Sequence, residues 1–195
     1  NTIIGAVAAG NTVILKPSEY APFTANVVEE VINETFAPEH VSVAKGDVSV
    51  ASELLKLRWD YVFFTGSTNV GKIVAKAAAE HLTPYTLELG GKNPCIVDQT
   101  APIGLTAKRI VWGKYVNCGQ TCIAPDYLLV HKSKVTALTE AMVKEIKNAF
   151  GDDPQKSHSY GRIINQKHLM HLKRMLQGVT LAHGGTVNEE DLYIE

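Results

Sequence analysis

The feature that most constrains this chain is an alternation. Short runs of β-branched and apolar residues recur between stretches of about 10–15 residues whose apolar positions fall at helical spacing. Thr12-Val13-Ile14-Leu15 is one such run, closed at once by Pro17-Ser18, and a helix is predicted over residues 22–36. Residues 41–44 and 61–65 are two more candidate strands, separated by a helix over 49–58 with Val50, Leu54 and Leu57 on its apolar side. A further helix is predicted over 68–81, with Val70, Ile73, Val74 and Ala77 as its stripe and Thr83-Pro84 closing it, before a strand over 85–89. Strands that alternate with helices in this way favour a parallel sheet with crossover helices, the doubly wound α/β class.

After Gly90-Gly91 the texture changes. Strands are expected at 95–97 and 127–131, with long amphipathic helices at 103–115 and 134–150, the second stopped by Gly151-Asp152-Asp153-Pro154. Residues 165–177 read as helix again, and 179–182 and 192–194 as candidate strands. The expected division is therefore a domain over residues 1–88 and a second over 89–195. The chain opens on Asn1-Thr2-Ile3-Ile4-Gly5 without an initiator Met and closes on an uncapped strand-like Leu192-Tyr193-Ile194-Glu195, so it is read as an internal fragment.

Composition excludes several classes of partner. With 19 basic and 20 acidic residues and a net charge of −1, there is no electrostatic footprint for nucleic acid or an anionic membrane surface. Apolar stretches such as Ile3-Ile4-Gly5-Ala6-Val7-Ala8-Ala9 fall far short of the roughly 20 residues a membrane span needs. Three cysteines, odd in number and sparse, point to a reducing compartment, the cytoplasm, and not to a disulfide scaffold. Cys118 and Cys122 stand in a C-x₃-C spacing, but no second ligand pair accompanies them and Cys95 stands alone, so no metal site is expected.

Four places carry candidate chemistry. Lys16 and Glu19 follow a strand's carboxyl end, where open α/β sheets place ligands, and supply a cation and a carboxylate suited to a ribose; isolated charges at such a place are more often solvated loop residues. Gly66-Ser67 precede a predicted helix whose N-terminal amides suit a phosphate, or form an ordinary βα turn. Glu88, between Leu87 and Leu89, is an acid at an apolar strand end, where desolvation would raise its pKa to base-competent values; the alternative is a pairing with a buried cation. Cys122 follows Gly119-Gln120 in a loop after a long helix, where small neighbours could leave a thiol accessible, although most lone cysteines are buried and inert.

In combination these stretches resemble a family. Ala8-Ala9-Gly10-Asn11-Thr12-Val13-Ile14-Leu15-Lys16-Pro17-Ser18-Glu19, Phe64-Thr65-Gly66-Ser67, Leu87-Glu88-Leu89-Gly90-Gly91-Lys92 and Asn117-Cys118-Gly119-Gln120-Thr121-Cys122 are similar, in order, to the signatures of the NAD(P)-dependent aldehyde dehydrogenases. Ile123-Ala124-Pro125-Asp126-Tyr127 and Tyr160-Gly161-Arg162-Ile163-Ile164-Asn165 resemble the class-3 and fatty-aldehyde branch. The resemblance implies a Rossmann-like parallel sheet, part of a cofactor domain, over residues 1–88, followed by the start of an α/β catalytic domain over 89–195. It implies Cys122 as the nucleophile and Glu88 as the general base. Lys16 and Glu19 would hold the adenosine ribose of NAD or NADP, Gly66 and Ser67 would lie beside the pyrophosphate, and Leu89 would make a backbone contact near the nicotinamide. The substrate would be an aldehyde and the full protein a homodimer.

The same resemblance marks what is missing. The family's Pro-Trp-Asn segment, which supplies an oxyanion-hole donor, has no counterpart here, and Asn1 cannot be assigned to it; nor is there a Glu-x-Phe-Gly-Pro segment. A noncatalytic nucleotide-binding or structural fragment is therefore the second reading, because losing one oxyanion donor commonly costs about 10²–10³ in kcat. A third, an acylating relative that hands its acyl group to coenzyme A, is disfavoured by the retained Glu88, since hydrolysis needs a base there.

Overall fold

The computed structural model describes residues 2–195; Asn1 lies outside the described residues. The chain divides into two compact units, Asn1–Glu88 and Leu89–Glu195.

The first unit runs α1 (Thr2–Ala8), β1 (Val13–Leu15), α2 (Pro22–Thr35), β2 (Val41–Val43), α3 (Val48–Leu55), β3 (Val62–Thr65), α4 (Thr68–Glu80) and β4 (Tyr85–Glu88). β1 lies parallel to β2, with Val13 opposite Val41, and β3 parallel to β4, with Val62 opposite Tyr85 and Thr65 opposite Glu88. α2 and α4 are the crossovers, so the unit consists of βαβ motifs, as the alternation predicts. Among the described residues the ladders are two separate pairs and not one continuous sheet, because α3 carries the chain from β2 to β3 without those strands pairing.

Local chemistry sets the helix starts. Pro22 opens α2, where a missing N–H costs nothing. The Asp47 carboxylate accepts from the Ser49 N–H at 2.8 Å ahead of α3, and Ser67 Oγ accepts from the Val70 N–H at 3.3 Å ahead of α4. The buried face of α4 is Gly71, Val74 and Ala78, whereas the sequence predicts Val70, Ile73, Val74 and Ala77. Val70 and Ile73 are exposed, so the helix turns Gly71, Val74 and Ala78 inward instead.

The second unit runs β5 (Asn93–Val97), α5 (Ile103–Tyr115), a 3₁₀ turn over Val116–Gly119, β6 (Pro125–Val130), α6 (Val135–Phe150), α7 (Gln166–Met175), β7 (Val187–Asn188) and β8 (Tyr193–Ile194). β5 and β6 are parallel, with Cys95 opposite Leu128. α5 and α6 bury a core of Val97, Ala107, Ile110 and Leu138, with Cys95, Leu128, Val130 and Met142 packed against it. The Asn165 side chain caps α7 by accepting from the His168 N–H at 2.9 Å.

Residues 179–182 do not form the expected strand. No strand pairs with them, and Val179 and Leu181 are exposed, so the apolar run has neither a ladder nor a cover. β7 takes that role instead, pairing antiparallel with β8 so that Val187 lies opposite Ile194.

Candidate functional site

In the first unit, β1 delivers Lys16 and Glu19 to its carboxyl end, where Lys16 Nζ donates to Glu19 Oε2 at 2.9 Å. That hydrogen bond is the main cause holding the Glu19 carboxyl below its ordinary range. Beside them is a cleft of about 270 Å³ whose lining includes Ser18, Glu19, Asn26, Lys45 and Asp47. Lys45 Nζ donates to Asn26 Oδ1 at 3.2 Å and also pairs with Glu29. Sequence reading missed Asn26, Lys45 and Asp47. The available signal was that Lys45 and Asp47 follow β2 much as Lys16 follows β1, so parallel neighbours bring both strand ends to one edge.

The Gly66 N–H donates to the Glu88 carbonyl at 3.0 Å, and Ser67 Oγ caps Val70, so neither group stands idle at the β3–α4 turn. What the turn offers an anion is the positive end of the 13-residue α4 and its first-turn amides. Glu88 ends β4 with its side chain exposed, not in the apolar enclosure the sequence predicts. Leu87 points to the opposite face of the strand, and Glu88, the last residue of β4, has no apolar cover. Leu89, the next residue, is half-buried.

In the second unit the chain leaves α5 through the Val116–Gly119 turn, in which Asn117 and Cys118 both take φ 53. Cys122 follows, and its residue is exposed. Its backbone carbonyl accepts from Asn93 Nδ2 at 2.7 Å, and the same amide reaches the Ala124 carbonyl at 3.0 Å. A Cβ on Gly91 would stand 2.6 Å from the Cys122 carbonyl oxygen, so this close approach admits only glycine.

Gln120 binds the same loop from the other side. Its Nε2 donates to the Asn117 carbonyl at 3.1 Å and the Arg162 carbonyl at 3.1 Å, and its Oε1 accepts from the Ile164 N–H at 2.9 Å. Arg162 is itself fixed: its guanidinium reaches the Gln155 carbonyl and the Asp191 carboxylate, both at 2.8 Å, and the carbonyls of Tyr160 and Gly161. Asn93, Gln120 and Arg162 were not singled out as site residues in the sequence, because an amide that binds backbone carbonyls has no spacing signature.

The three thiols differ in setting. Cys118 is half-buried, and burial pushes its thiol up, with a Gly161 hydrogen bond and the Arg162 charge pulling more weakly the other way. Cys95 sits in β5 against the core. Cys122 alone of the three is exposed. Among the described residues no group of three or more His, Cys, Asp or Glu side chains could hold a metal ion, and no helix is long and apolar enough to cross a membrane.

Residues 1–194 match the model of the Aldehyde dehydrogenase family. The chain is 49% identical over 195 residues to a 4,4'-diaponeurosporen-aldehyde dehydrogenase of Staphylococcus aureus, covering 99% of this chain and 42% of that protein. It is 47% identical to the rat dimeric NADP-preferring aldehyde dehydrogenase, covering 98% of this chain and 42% of that one. To the macaque aldehyde dehydrogenase family 3 member A2 it is 45% identical, covering 98% and 40%. Among solved structures, a mutant of AldC from Pseudomonas syringae in complex with NAD+ and octanal superposes with a TM-score of 0.87 at 27% identity, over 98% of this chain and 42% of that one. The chain thus spans about two fifths of the length of the curated relatives it matches.

Proposed function

The chain belongs to the aldehyde dehydrogenase family, and from that premise we propose that it carries the nucleophile, Cys122, and the general base, Glu88, of an NAD(P)-dependent oxidation of an aldehyde to a carboxylic acid. The observation that carries this reading is the contrast among the thiols. Cys122 is exposed on a loop anchored through its own carbonyl, while Cys118 is half-buried with a raised pKa. A nucleophilic cysteine needs access, and burial of the kind at Cys118 disfavours the thiolate.

The residues of the first unit fit a dinucleotide. Lys16 and Glu19 stand with Lys45 and Asp47 by a cleft at the carboxyl ends of two parallel strands, a donor and acceptor set suited to the ribose of an adenosine. The positive end of α4, at Gly66-Ser67, suits the pyrophosphate, and the Leu89 backbone would meet the nicotinamide side. Both NAD and NADP remain within this proposal: the rat relative is named NADP-preferring and the AldC complex holds NAD+. A bound nicotinamide would supply the hydride acceptor.

The chain's own residues do the rest. The Cys122 thiolate adds to the aldehyde carbon, forming a C–S bond and an alkoxide. As the carbonyl re-forms, hydride departs from that carbon and a Cys122 thioester remains. Glu88 takes a proton from water, the hydroxide adds to the thioester carbon, and the C–S bond breaks to give the acid and regenerate the thiolate. Exposure of Glu88 is compatible with this role, because a base that activates water must be reached by it. The sparse cysteines favour a reducing compartment, the cytoplasm, and the rat relative, named dimeric, favours a dimer for the full protein.

The decisive experiment is Glu88→Gln in the full protein. Thiolate attack and hydride transfer should survive while deacylation stalls, so rapid mixing should give a burst of NAD(P)H near one per active site, then a much slower steady state. Mass spectrometry should find the acyl group on the peptide carrying Cys122. A lost burst would place Glu88 at or before hydride transfer, and an unchanged steady state would remove it from the mechanism.

A further inference from the structure

Between α5 and β6 lies a loop with no strand ladder of its own, and two of its residues, Asn117 and Cys118, adopt a left-handed conformation that costs an L residue energy. Such a segment holds one shape only if surrounding contacts over-determine it. Two side-chain amides supply those contacts. We infer that Gln120, together with Asn93, is a positioning residue for Cys122: the two amides, one upstream of the thiol and one across from it, tie the nucleophile's loop to fixed backbone groups. The inference rests on the assignment of Cys122 as the nucleophile.

The Gln120 side chain makes three hydrogen bonds. Both donor contacts of its amide go to carbonyls, of Asn117 within the loop and of Arg162 outside it, and its oxygen takes the Ile164 N–H. Asn117 answers by donating its side-chain amide to the Gln120 carbonyl at 3.2 Å. The outside anchor is itself immobilised, since the Arg162 guanidinium is held by Asp191 and by three carbonyls. On the other flank Asn93 spans the carbonyls of Cys122 and Ala124, and Gly91 leaves room for that approach. The thiol therefore projects from a backbone pinned two residues before it, at its own carbonyl and two residues after it.

Chemically, this matters most in the first half-reaction. Attack and hydride transfer both require the sulfur within a narrow range of distance and direction, and a displacement of about 1 Å can cost about 10²-fold in rate. The requirement is for a neutral amide and not merely for a polar side chain of that length. A glutamate at position 120 would turn carboxylate oxygens toward the Asn117 and Arg162 carbonyls and expel the loop, while a methionine would keep the bulk and lose all three bonds.

The test uses the full protein with Gln120→Met, Gln120→Glu and Asn93→Ala, measured for the first-turnover burst of NAD(P)H, for cofactor Kd and for alkylation of Cys122 by iodoacetamide. The positioning role predicts a burst slowed by about 10–100-fold in each variant, with Glu no better than Met. Cofactor Kd should stay within about twofold and alkylation should be no slower, because a loosened loop presents its thiol at least as well. An unchanged burst in both Gln120 variants, or a loss matched by an equal loss of cofactor binding, overturns the proposal. Cys122→Ala is run beside them. If it abolishes the burst, an unchanged Gln120→Met counts against the clamp alone; if the burst survives, the nucleophile assignment fails and the clamp with it.

Discussion

Lys16 and Glu19 show how little a residue's position in the sequence says of its immediate partners. Only the family resemblance, not their place after a strand end, implied that they hold a ribose, and nothing in the spacing said that they bind each other at 2.9 Å. The Glu19 carboxyl is held low mainly by the Lys16 hydrogen bond, so its folded pKa lies below its unfolded one. The pair therefore persists above the ordinary carboxylate range and is lost as pH falls through the depressed value. At neutral pH Glu19 remains an anion beside the cleft, where it would repel a 2′-phosphate. Glu19→Gln should raise kcat/KM with NADP relative to NAD, and an unmoved ratio would mean that Glu19 does not face the ribose. Glu88 shows the opposite limit. Its role was read from its motif, but its surroundings were misjudged, because flanking leucines on a strand point away from the residue between them. Gln120 stood inside a family signature and Asn93 just after another, but neither had a readable role: backbone carbonyls are present at every position, so a side chain that binds them has no spacing of its own.

At the scale of the element, periodicity served well where a helix or strand packs against a partner within its own unit. The expected helix over 103–115 coincides with α5, and β1 to β6 fall inside or within two residues of their expected spans. It failed where packing, not pattern, decides, as in the rotation of α4 onto Gly71 and the absence of a strand at 179–182. The left-handed turn over Asn117-Cys118 was also unread, since neither residue type demands that conformation. The start of α4 offers a test that separates structure from function. Ser67 caps the helix by accepting from Val70, so Ser67→Ala should cost about 1 kcal/mol of stability. Aspartate caps as well as serine does, and its charge suits a helix N-terminus. Ser67→Asp should therefore keep stability within about 0.5 kcal/mol of the parent while weakening NAD(P) binding by about tenfold or more, because a carboxylate would stand where the pyrophosphate is expected. Unchanged cofactor affinity in Ser67→Asp would move the pyrophosphate away from this turn.

For the whole chain, Ala25, Ile32, Val41, Val74 and Ala78 are buried in the first unit, and Val97, Ala107, Ile110 and Leu138 form a core cluster in the second. In the sequence the texture changes after Gly90-Gly91, and the compact units meet at Glu88 and Leu89, where one strand–helix series ends and another begins. What the alternation could not reveal is how much of each strand is covered. Residues Ile14 of β1, Phe63 of β3 and Ile96 of β5 are exposed at 48%, 44% and 75%, so these parallel ribbons bury one face of their apolar runs, where near-continuous apolar strands lead one to expect two. Leu138 is among the largest fully buried side chains, at 2% exposure, and it joins α6 to the β5–β6 ribbon through the shared core. Leu138→Ala should cost about 2–5 kcal/mol through lost burial and the cavity left behind. Hydrogen exchange followed by mass spectrometry would localise the loss: if the second unit's core is its own, α5 and α6 should lose amide protection well before α2 and α4 do. Equal loss in all four helices would show that the two units unfold together, and that the division seen in the contacts is not a division in cooperativity.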